Sequence, residues 1–227
     1  MKMRIPLLCV WLLLIGSNSN AAEEYQYDPE NGLDINEVCA GCHGEYGQGG
    51  KDGEYPRLAG MPSAFIAEQL HLFRARKRPN MAMVEYVDDR QMPDEDIFDI
   101  AHYLHAIKLK TKLPPANEKD PGFDAYARLL ESKRLMQIPR APGDVKKGRK
   151  LYHRECASCH GREGWGNDKK AVPPLAGQYT NYLWRQVKKL RKRIRIHDKD
   201  DPNDELLDDF SDTELRDIFA YLSTVDD

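Results

Sequence analysis

The feature that most restricts the fold of this 227-residue chain is a short motif, Cys-x-x-Cys-His, that occurs twice. It reads "CAGCH" at 39–43 and "CASCH" at 156–160, and a glycine follows each copy. The surrounding sequence repeats at the same offset of 117 residues, because "PRLAG" at 56–60 matches "PPLAG" at 173–177. A period of this length is too long for a solenoid repeat, so the chain contains two copies of one domain.

Each copy has the periodicity of helices and little alternation of the kind found in strands. The last segment of the first copy is apolar at Ile97, Ile100, Ala101 and Leu104, which is the spacing of a half-buried helix. Its counterpart lies 118 residues later, so the second copy contains one inserted residue upstream of its last helix. The predicted fold class is therefore all-α.

The domain boundaries follow from the repeat. Residues 23–112 form the first predicted domain and residues 144–227 the second. Prolines punctuate the segment 113–143 between them, and helical spacing within 123–137 predicts a linker helix there.

Residues 1–22 have the pattern of a secretory signal peptide and are predicted to lie outside the fold. Lys2 and Arg4 precede an apolar run of eleven residues, and small residues then lead to Ala21 and Ala22. A helix that spans a membrane needs about 20 apolar residues. The prediction is export to the periplasm with no transmembrane segment after cleavage. Peripheral membrane association and the oligomeric state stay open.

The repeated motif is typical of covalent haem attachment. Two cysteines three positions apart can each add to a haem vinyl group, and the adjacent histidine then meets the iron as its proximal ligand. The prediction is two covalently bound haem c groups, each held by two cysteines and one histidine. The attachment and ligand residues are Cys39, Cys42, His43, Cys156, Cys159 and His160.

Two other uses of paired cysteines fit the sequence less well. A zinc ribbon usually has 15–20 residues between its cysteine pairs, whereas 113 residues separate Cys42 from Cys156. A thioredoxin-like redox pair belongs to a βαβ unit, which the helical pattern does not contain.

These motifs, the "PxLAG" segments and the helices "FIAEQLHLFRARKR", "YLWRQVKKLRKRIR", "DIFDIAHYL" and "ELRDIFAYL" carry a family resemblance. The chain resembles the tandem dihaem class I cytochromes c, most closely the cytochrome c4 type. The resemblance covers the mature chain except 113–143. It implies two domains, each wrapped around a haem, and a role in electron transfer. It also implies that the carbonyls of Pro56 and Pro173 orient the proximal histidines.

Members of this family usually place a methionine sulfur on the distal side of the iron. In the first domain Met83 lies where the resemblance expects this methionine, and Met81 is the alternative axial ligand. Met92 aligns with Phe210 at the start of the last helix and is expected to contribute only to packing.

The second domain departs from this pattern because no methionine occurs after Met136. His197 lies eleven residues after Gln186, in the loop from which the distal ligand should come, and it is the predicted sixth ligand. His153 precedes the motif on the same predicted helix and cannot reach across the haem. The alternatives left open are Met136 from the linker, a lysine, or an open five-coordinate iron.

Thioether sulfur favours ferrous iron, whereas a second imidazole favours ferric iron. The first haem is therefore the predicted high-potential centre, and electrons are predicted to enter at the second. The predicted function is periplasmic electron transfer between a respiratory donor and a terminal oxidase or reductase, which are the expected protein partners. The alternative is an enzyme, or an enzyme-bound subunit, that acts on a small molecule at an open second haem.

The charge is divided unevenly between the copies. Residues 23–120 carry 11 basic and 19 acidic side chains, a net charge of −8, whereas residues 121–227 carry 21 and 18, a net charge of +3. The stretch 185–195 holds seven basic residues in eleven and could form a solvated helix face, pair with haem propionates, or dock an acidic partner. Export makes nucleic acid a poor candidate partner.

Overall fold

The computed structural model describes residues 25–88, 90–198 and 200–225, and this part of the chain is helical. Within these ranges there is no β-strand, and the only extended pairings are three isolated β-bridges. The all-α prediction is confirmed. The predicted signal peptide lies outside the described residues.

The three long helices of each copy correspond in order. The first domain contains α1 (Pro29–His43), α2 (Ser63–Arg74), the short α3 (Met81–Val84) and α4 (Asp94–Ala106). The linker contains α5 (Ala125–Ser132). The second domain contains α6 (Val145–Glu155), α7 (Ala157–His160), α8 (Thr180–Arg191) and α9 (Asp212–Leu222). A 3₁₀ turn follows each motif, at Lys51–Gly53 and at Asp168–Lys170.

A glycine sets the crossing of the first and last helices in each domain. A Cβ added to Gly32 of α1 would lie 2.9 Å from the carbonyl oxygen of Asp99 in α4. A Cβ added to Gly148 of α6 would lie only 1.8 Å from the carbonyl oxygen of Asp217 in α9. Both helix pairs therefore pack backbone against backbone, and α6 and α9 approach more closely.

The start of each domain reveals a second insertion. Asp28 and Asp144 cap α1 and α6, and the backbone N–H of each donates to the equivalent carboxylate of the last helix. These caps are 116 residues apart, whereas the motifs are 117 apart, so the second copy has gained one residue in between. The helix breaks there, at Cys156, and the single helix predicted to carry His153 and the motif is instead the pair α6 and α7.

The linker first packs on the first domain and then reaches the second. Met136 is buried with Ala59 and Leu109, and its backbone N–H donates to the carbonyl of Lys110 at 2.8 Å. A few residues later the N–H of Ala141 donates to the Ser223 hydroxyl beyond the end of α9, at 2.9 Å. The segment therefore ties the two domains together.

The two domains also touch directly. Arg57 and Gln178 exchange two hydrogen bonds. The backbone N–H of Arg57 donates to Oε1 of Gln178 at 3.1 Å, and the carbonyl oxygen of Arg57 accepts from Nε2 of Gln178 at 3.0 Å. The Asn181 amide donates to Asp52 at 2.5 Å, and the Arg185 guanidinium donates to the carbonyls of Gly53 and Glu54. The 3₁₀ turn of the first domain thus sits on the start of α8.

No helix in the described ranges is long and apolar enough to cross a membrane.

Candidate haem-binding sites

The proximal side of both sites is built in the same way. The Nδ1 atom of His43 lies 2.9 Å from the carbonyl oxygen of Pro56, and the Nδ1 atom of His160 lies 2.9 Å from that of Pro173. As the carbonyls accept, each Nδ1 is protonated and each Nε2 keeps its lone pair for a metal. The hydrogen bonds that the family resemblance implies are present.

Matched loop contacts hold these carbonyls in place. The N–H groups of Leu58 and Leu175, in the two "PxLAG" segments, donate to the carbonyls of Gly47 and Gly164, both at 2.8 Å. Each glycine has a positive φ and follows its motif by four residues. A tight glycine turn therefore brings the "PxLAG" segment back onto the proximal histidine in each domain.

Burial shifts the pKa of a cysteine and of the histidine in each motif. Burial raises the thiol pKa of Cys39 and of Cys156 to about 11. Burial also lowers the pKa of His43 and of His160, although the proline carbonyls raise it in part. A neutral imidazole is the form that binds a metal.

In the second domain a histidine faces the proximal histidine. The ring centres of His160 and His197 are 6.3 Å apart, and their planes differ by 24°. A bond between a metal and a histidine nitrogen is about 2 Å long, so two imidazoles on opposite sides of one ion have centres about 6 Å apart. The separation fits one iron between these two rings.

A carboxylate holds His197 in the tautomer that this arrangement needs. Its Nδ1 lies 2.5 Å from Oδ2 of Asp204, which leaves Nε2 free on the other side of the ring. Burial opposes ionisation of Asp204, but the hydrogen bonds from His197 and from the Leu206 N–H outweigh it and lower the pKa of this carboxyl. A charged acceptor on the outer nitrogen makes the inner nitrogen a stronger ligand.

The distal side of the first domain offers two methionines in different settings. Met81 begins α3 and is 69% exposed, whereas Met83 is half-buried against the cluster of Phe73, Val87 and Ile97. Met92 is buried in the same cluster and occupies the packing position. Met83 is thus the methionine held in place by packing, and its ligation of iron stays a prediction.

Met136, the rival ligand from the linker, lies elsewhere. It is 3% exposed and packs with Ala59 and Leu109 of the first domain. The Cε atom of Met136 packs closely on Gly177 of the second domain, because a Cβ added to this glycine would lie only 2.4 Å from it. His197 is the side chain whose ring lies opposite His160.

One arginine in each domain fixes the loop that carries the distal residue. The guanidinium of Arg74 at the end of α2 donates to the carbonyls of Val87 and Met92 and to Asp94. Arg191 of α8 makes the same three kinds of contact, with the carbonyls of Leu207 and Phe210 and with Asp212. The ends of the two loops are therefore held alike, although the loops differ in length.

A cationic cluster lies where the two domains meet. Arg78 and Arg195 each donate to the glutamine of their own domain, Gln69 and Gln186, at 2.8 Å, and Arg78 also donates to the Tyr182 hydroxyl at 3.1 Å. Burial and the nearby Arg78 lower the pKa of Arg195 to about 10. Among the described residues no carboxylate lies within ion-pair distance of either arginine, so the cluster suits anions such as haem propionates.

Comparison with known sequences decides the family. The sequence profile described as "Cytochrome c" matches residues 30–108 and 145–226. The protein is a cytochrome c.

The relatives of this cytochrome include an electron acceptor and cytochromes c4. It is 29% identical to a thiosulfate dehydrogenase electron acceptor of Stutzerimonas stutzeri, over 97% of this chain and 94% of the relative. It is 26% identical to cytochrome c4 of Pseudomonas aeruginosa, over 72% and 71% of the two chains. The crystal structure of reduced cytochrome c4 from Pseudomonas stutzeri superposes with a TM-score of 0.65 and 22% identity, over 87% and 98%.

The cytochrome is thus a tandem class I protein of the cytochrome c4 type with two covalently bound haem c groups, and it transfers electrons. When bound, the haems supply reversible one-electron chemistry at iron. The residues that would attach them are the two cysteine pairs, with His43 and His160 as proximal ligands.

Sequence reasoning missed Asp204, Arg74 and Arg191. The arginine pair had a signal, because both lie at the same place in the repeat. Asp204 had none, since it is one of several acidic residues in the loop after His197 and only its folded position singles it out.

Proposed function

We propose that this cytochrome is an exported electron carrier whose second haem has two histidine ligands and receives electrons, and whose first haem has methionine ligation and delivers them. The observation that carries the proposal is the 6.3 Å separation of the His160 and His197 rings, with both Nδ1 atoms occupied by acceptors. Imidazole at both positions favours ferric iron, whereas the sulfur of Met83 favours ferrous iron. Electrons would therefore pass from the second domain to the first.

The donor that we propose is an exported dehydrogenase that oxidises a small sulfur compound. One relative that matches nearly the whole chain, from Stutzerimonas stutzeri, is named a thiosulfate dehydrogenase electron acceptor. A carrier with two permanently ligated irons needs no substrate pocket, which agrees with His197 facing His160. The acceptor would be a terminal oxidase or reductase with a higher potential.

Carbon monoxide binding to the reduced holoprotein tests the ligand assignment. The native protein should bind none at the second haem, and the His197→Ala variant should bind one equivalent. His153→Ala is the matched control, because this histidine packs against Tyr152 and Tyr221 rather than facing His160. Binding by the native protein would mean an open iron and would favour an enzymatic role instead.

The assignment in the first domain has its own test. Met83→Ala should abolish the sulfur-to-iron charge-transfer absorption of the oxidised protein, and Met81→Ala should leave it unchanged. The reverse result would exchange the roles of the two methionines.

A further inference from the structure

The helices that lead into the two haem-attachment motifs present opposite charges. The outer face of α6 carries five exposed basic side chains: Lys146, Lys147, Arg149, Lys150 and Arg154. The outer face of α1 carries exposed acidic and apolar side chains and no lysine or arginine: Glu30, Leu33, Asp34, Glu37 and Val38. The faces occupy equivalent positions, because Gly32 and Gly148 turn the same side of each helix inward.

Most of the charge on α6 is available to a partner. Lys147 pairs with Asp144 at 3.8 Å, and Arg154 pairs with its neighbour Glu155, both at the surface. Within the described part of the chain, no carboxylate lies within ion-pair distance of Lys146 or Lys150. A group of exposed, unpaired cations of this kind attracts a negatively charged surface over several ångströms.

The stretch 185–195, in α8 and just after it, is more basic than α6, but its arginines are less available to a partner protein. Arg185 donates to carbonyls of the first domain, and Arg191 to carbonyls of its own distal loop. Arg193 pairs with Asp208 at 2.7 Å, and Arg195 donates to Gln186. The stretch that the sequence suggested as a docking patch therefore serves mainly to hold the fold together.

The α6 face lies beside the motif of the second domain. The chain passes from α6 through Cys156 directly into α7, where Ser158 and Cys159 are exposed. In the first domain the equivalent residues, Gly41 and Cys42, are exposed next to the acidic face of α1. A partner that approaches the motif of the second domain therefore meets positive charge, whereas a partner that approaches the motif of the first domain meets negative charge.

We propose that the α6 face is the docking site of the electron donor and that this donor is a redox protein with an acidic surface around its own centre. The donor would lose one electron and the ferric iron held by His160 would gain it, with no bond made or broken. The acidic α1 face would repel the same donor, so charge would direct it to one of two chemically similar sites. The inference rests on the proposed function only in naming this partner as the donor.

Binding of oxidised flavodoxin, an acidic redox protein, to the oxidised holoprotein tests the site without electron transfer. Titration calorimetry at low ionic strength should show binding that Lys146→Glu/Lys150→Glu weakens at least about tenfold. The control Lys188→Glu/Lys192→Glu makes the same change in net charge on exposed residues of α8 and just after it, and it should weaken binding less than about threefold. Equal effects of the two variants, or no effect of the first, would overturn the proposal.

A gain of binding offers a second test. Asp34→Lys/Glu37→Lys would give α1 the charge of α6, and the variant should bind a second flavodoxin. Stopped-flow reduction by flavodoxin hydroquinone should then lose its preference for the second haem. If the variant still binds a single flavodoxin, repulsion at α1 is not what directs the donor.

The proposal would be overturned if the α6 face bound either of two other surfaces. One is an anionic membrane, shown if vesicles of phosphatidylglycerol bind the native protein but not Lys146→Glu/Lys150→Glu while flavodoxin binding is unchanged. The other is a second copy, shown if sedimentation at low ionic strength reveals dimers that this variant abolishes. Potentiometric titration of the two haems reports separately on the proposed function, because the potentials do not depend on docking.

Discussion

The proximal sides of the two domains match closely, whereas their distal sides differ. On the proximal side the histidine-to-proline hydrogen bond is 2.9 Å in both copies, and the glycine turns that support it match as well. On the distal side Met83 on a short helix stands in one copy, and His197 in a longer loop stands in the other. Since Arg74 and Arg191 hold the ends of both loops alike, the residue between them can differ without disturbing the rest of the domain.

Exchanging the two distal residues should produce the largest effect. His197→Met should raise the potential of the second haem and Met83→His should lower that of the first. Each shift should be on the order of 100–200 mV, within the roughly 0.8 V range that axial ligands control. Spectroscopic redox titration measures both haems. Met81→His is the control and should move neither potential, because this side chain is exposed. An unchanged second haem in His197→Met would refute the ligand assignment.

The helix crossings give the next largest difference between the domains. Gly148→Ala places a Cβ 1.8 Å from a backbone oxygen, so the free energy of unfolding of the second domain should fall by about 3 kcal/mol or more. Gly32→Ala is less crowded and should cost the first domain about 1–3 kcal/mol. Denaturant unfolding measures both.

Gly41→Ala is the control for these substitutions, because a Cβ there meets nothing within 4 Å. It should be neutral or slightly stabilising, as alanine is the better helix former. Equal losses in Gly32→Ala and Gly148→Ala would show that the two crossings do not differ.

The carboxylate behind His197 should tune the second haem alone. Asp204→Asn keeps the shape of the side chain but makes it a weaker hydrogen-bond acceptor for His197. The preference of the second haem for ferric iron should therefore fall about tenfold, which corresponds to a rise of about 60 mV in its reduction potential. Asp200→Asn removes a charge from the same loop and should have a much smaller effect. Similar shifts in the two variants would mean that Asp204 acts only through its charge.

The smallest expected difference in stability concerns Asp99 and Asp217, the carboxylates that accept hydrogen bonds from the backbone of the two capping residues. Asp99 accepts from the Tyr25 hydroxyl at 2.6 Å, the Asn31 amide at 2.8 Å and the Asp28 N–H at 2.9 Å. In the described part of the chain, Asp217 accepts only from the Asp144 N–H. Asp99→Asn should therefore cost about 1 kcal/mol more than Asp217→Asn at neutral pH.

The cost of Asp99→Asn should also depend on pH. Burial opposes ionisation of Asp99, but the hydrogen bonds from Tyr25, Asn31 and Asp28 lower its pKa below the ordinary value. A lowered pKa stabilises the fold above the ordinary aspartate pKa, about 3.9, and this contribution is lost as pH falls through the folded pKa. Unfolding measured from pH 7 to pH 3 should show the gap between native and variant closing only below about pH 4. A gap that stays constant would exclude this linkage.

Much of the fold could be predicted because the sequence patterns that indicate it are short and occur in both copies. Each motif, each "PxLAG" segment and the apolar stripe of α4 spans only a short stretch of sequence. Because each recurs in the second copy, the duplication supported the interpretation of every one. Contacts that join distant segments could not be predicted. The Arg57 and Gln178 exchange spans 121 residues, and nothing in either local sequence indicates it.

The basic residues show the same limit. The stretch 185–195 is the most positively charged in the sequence, yet its arginines are engaged in the fold. The five basic residues of α6 are fewer and more spread out, but packing of Gly148 and Tyr152 on α9 turns them all outward. Charge could be counted from the sequence, whereas its availability depended on which face each helix buried.

From the sequence alone follow a pair of helical domains, two haem-attachment motifs and the lack of any methionine after Met136. Covalent attachment through this motif needs two cysteines and a histidine at short spacing, so it can be recognised in the sequence. Only the tertiary structure brought His197 opposite His160, placed Asp204 behind it and exposed the α6 face. These arrangements depend on how distant segments pack, because a side chain's partner across the fold is set by the packed core rather than by its neighbours in sequence.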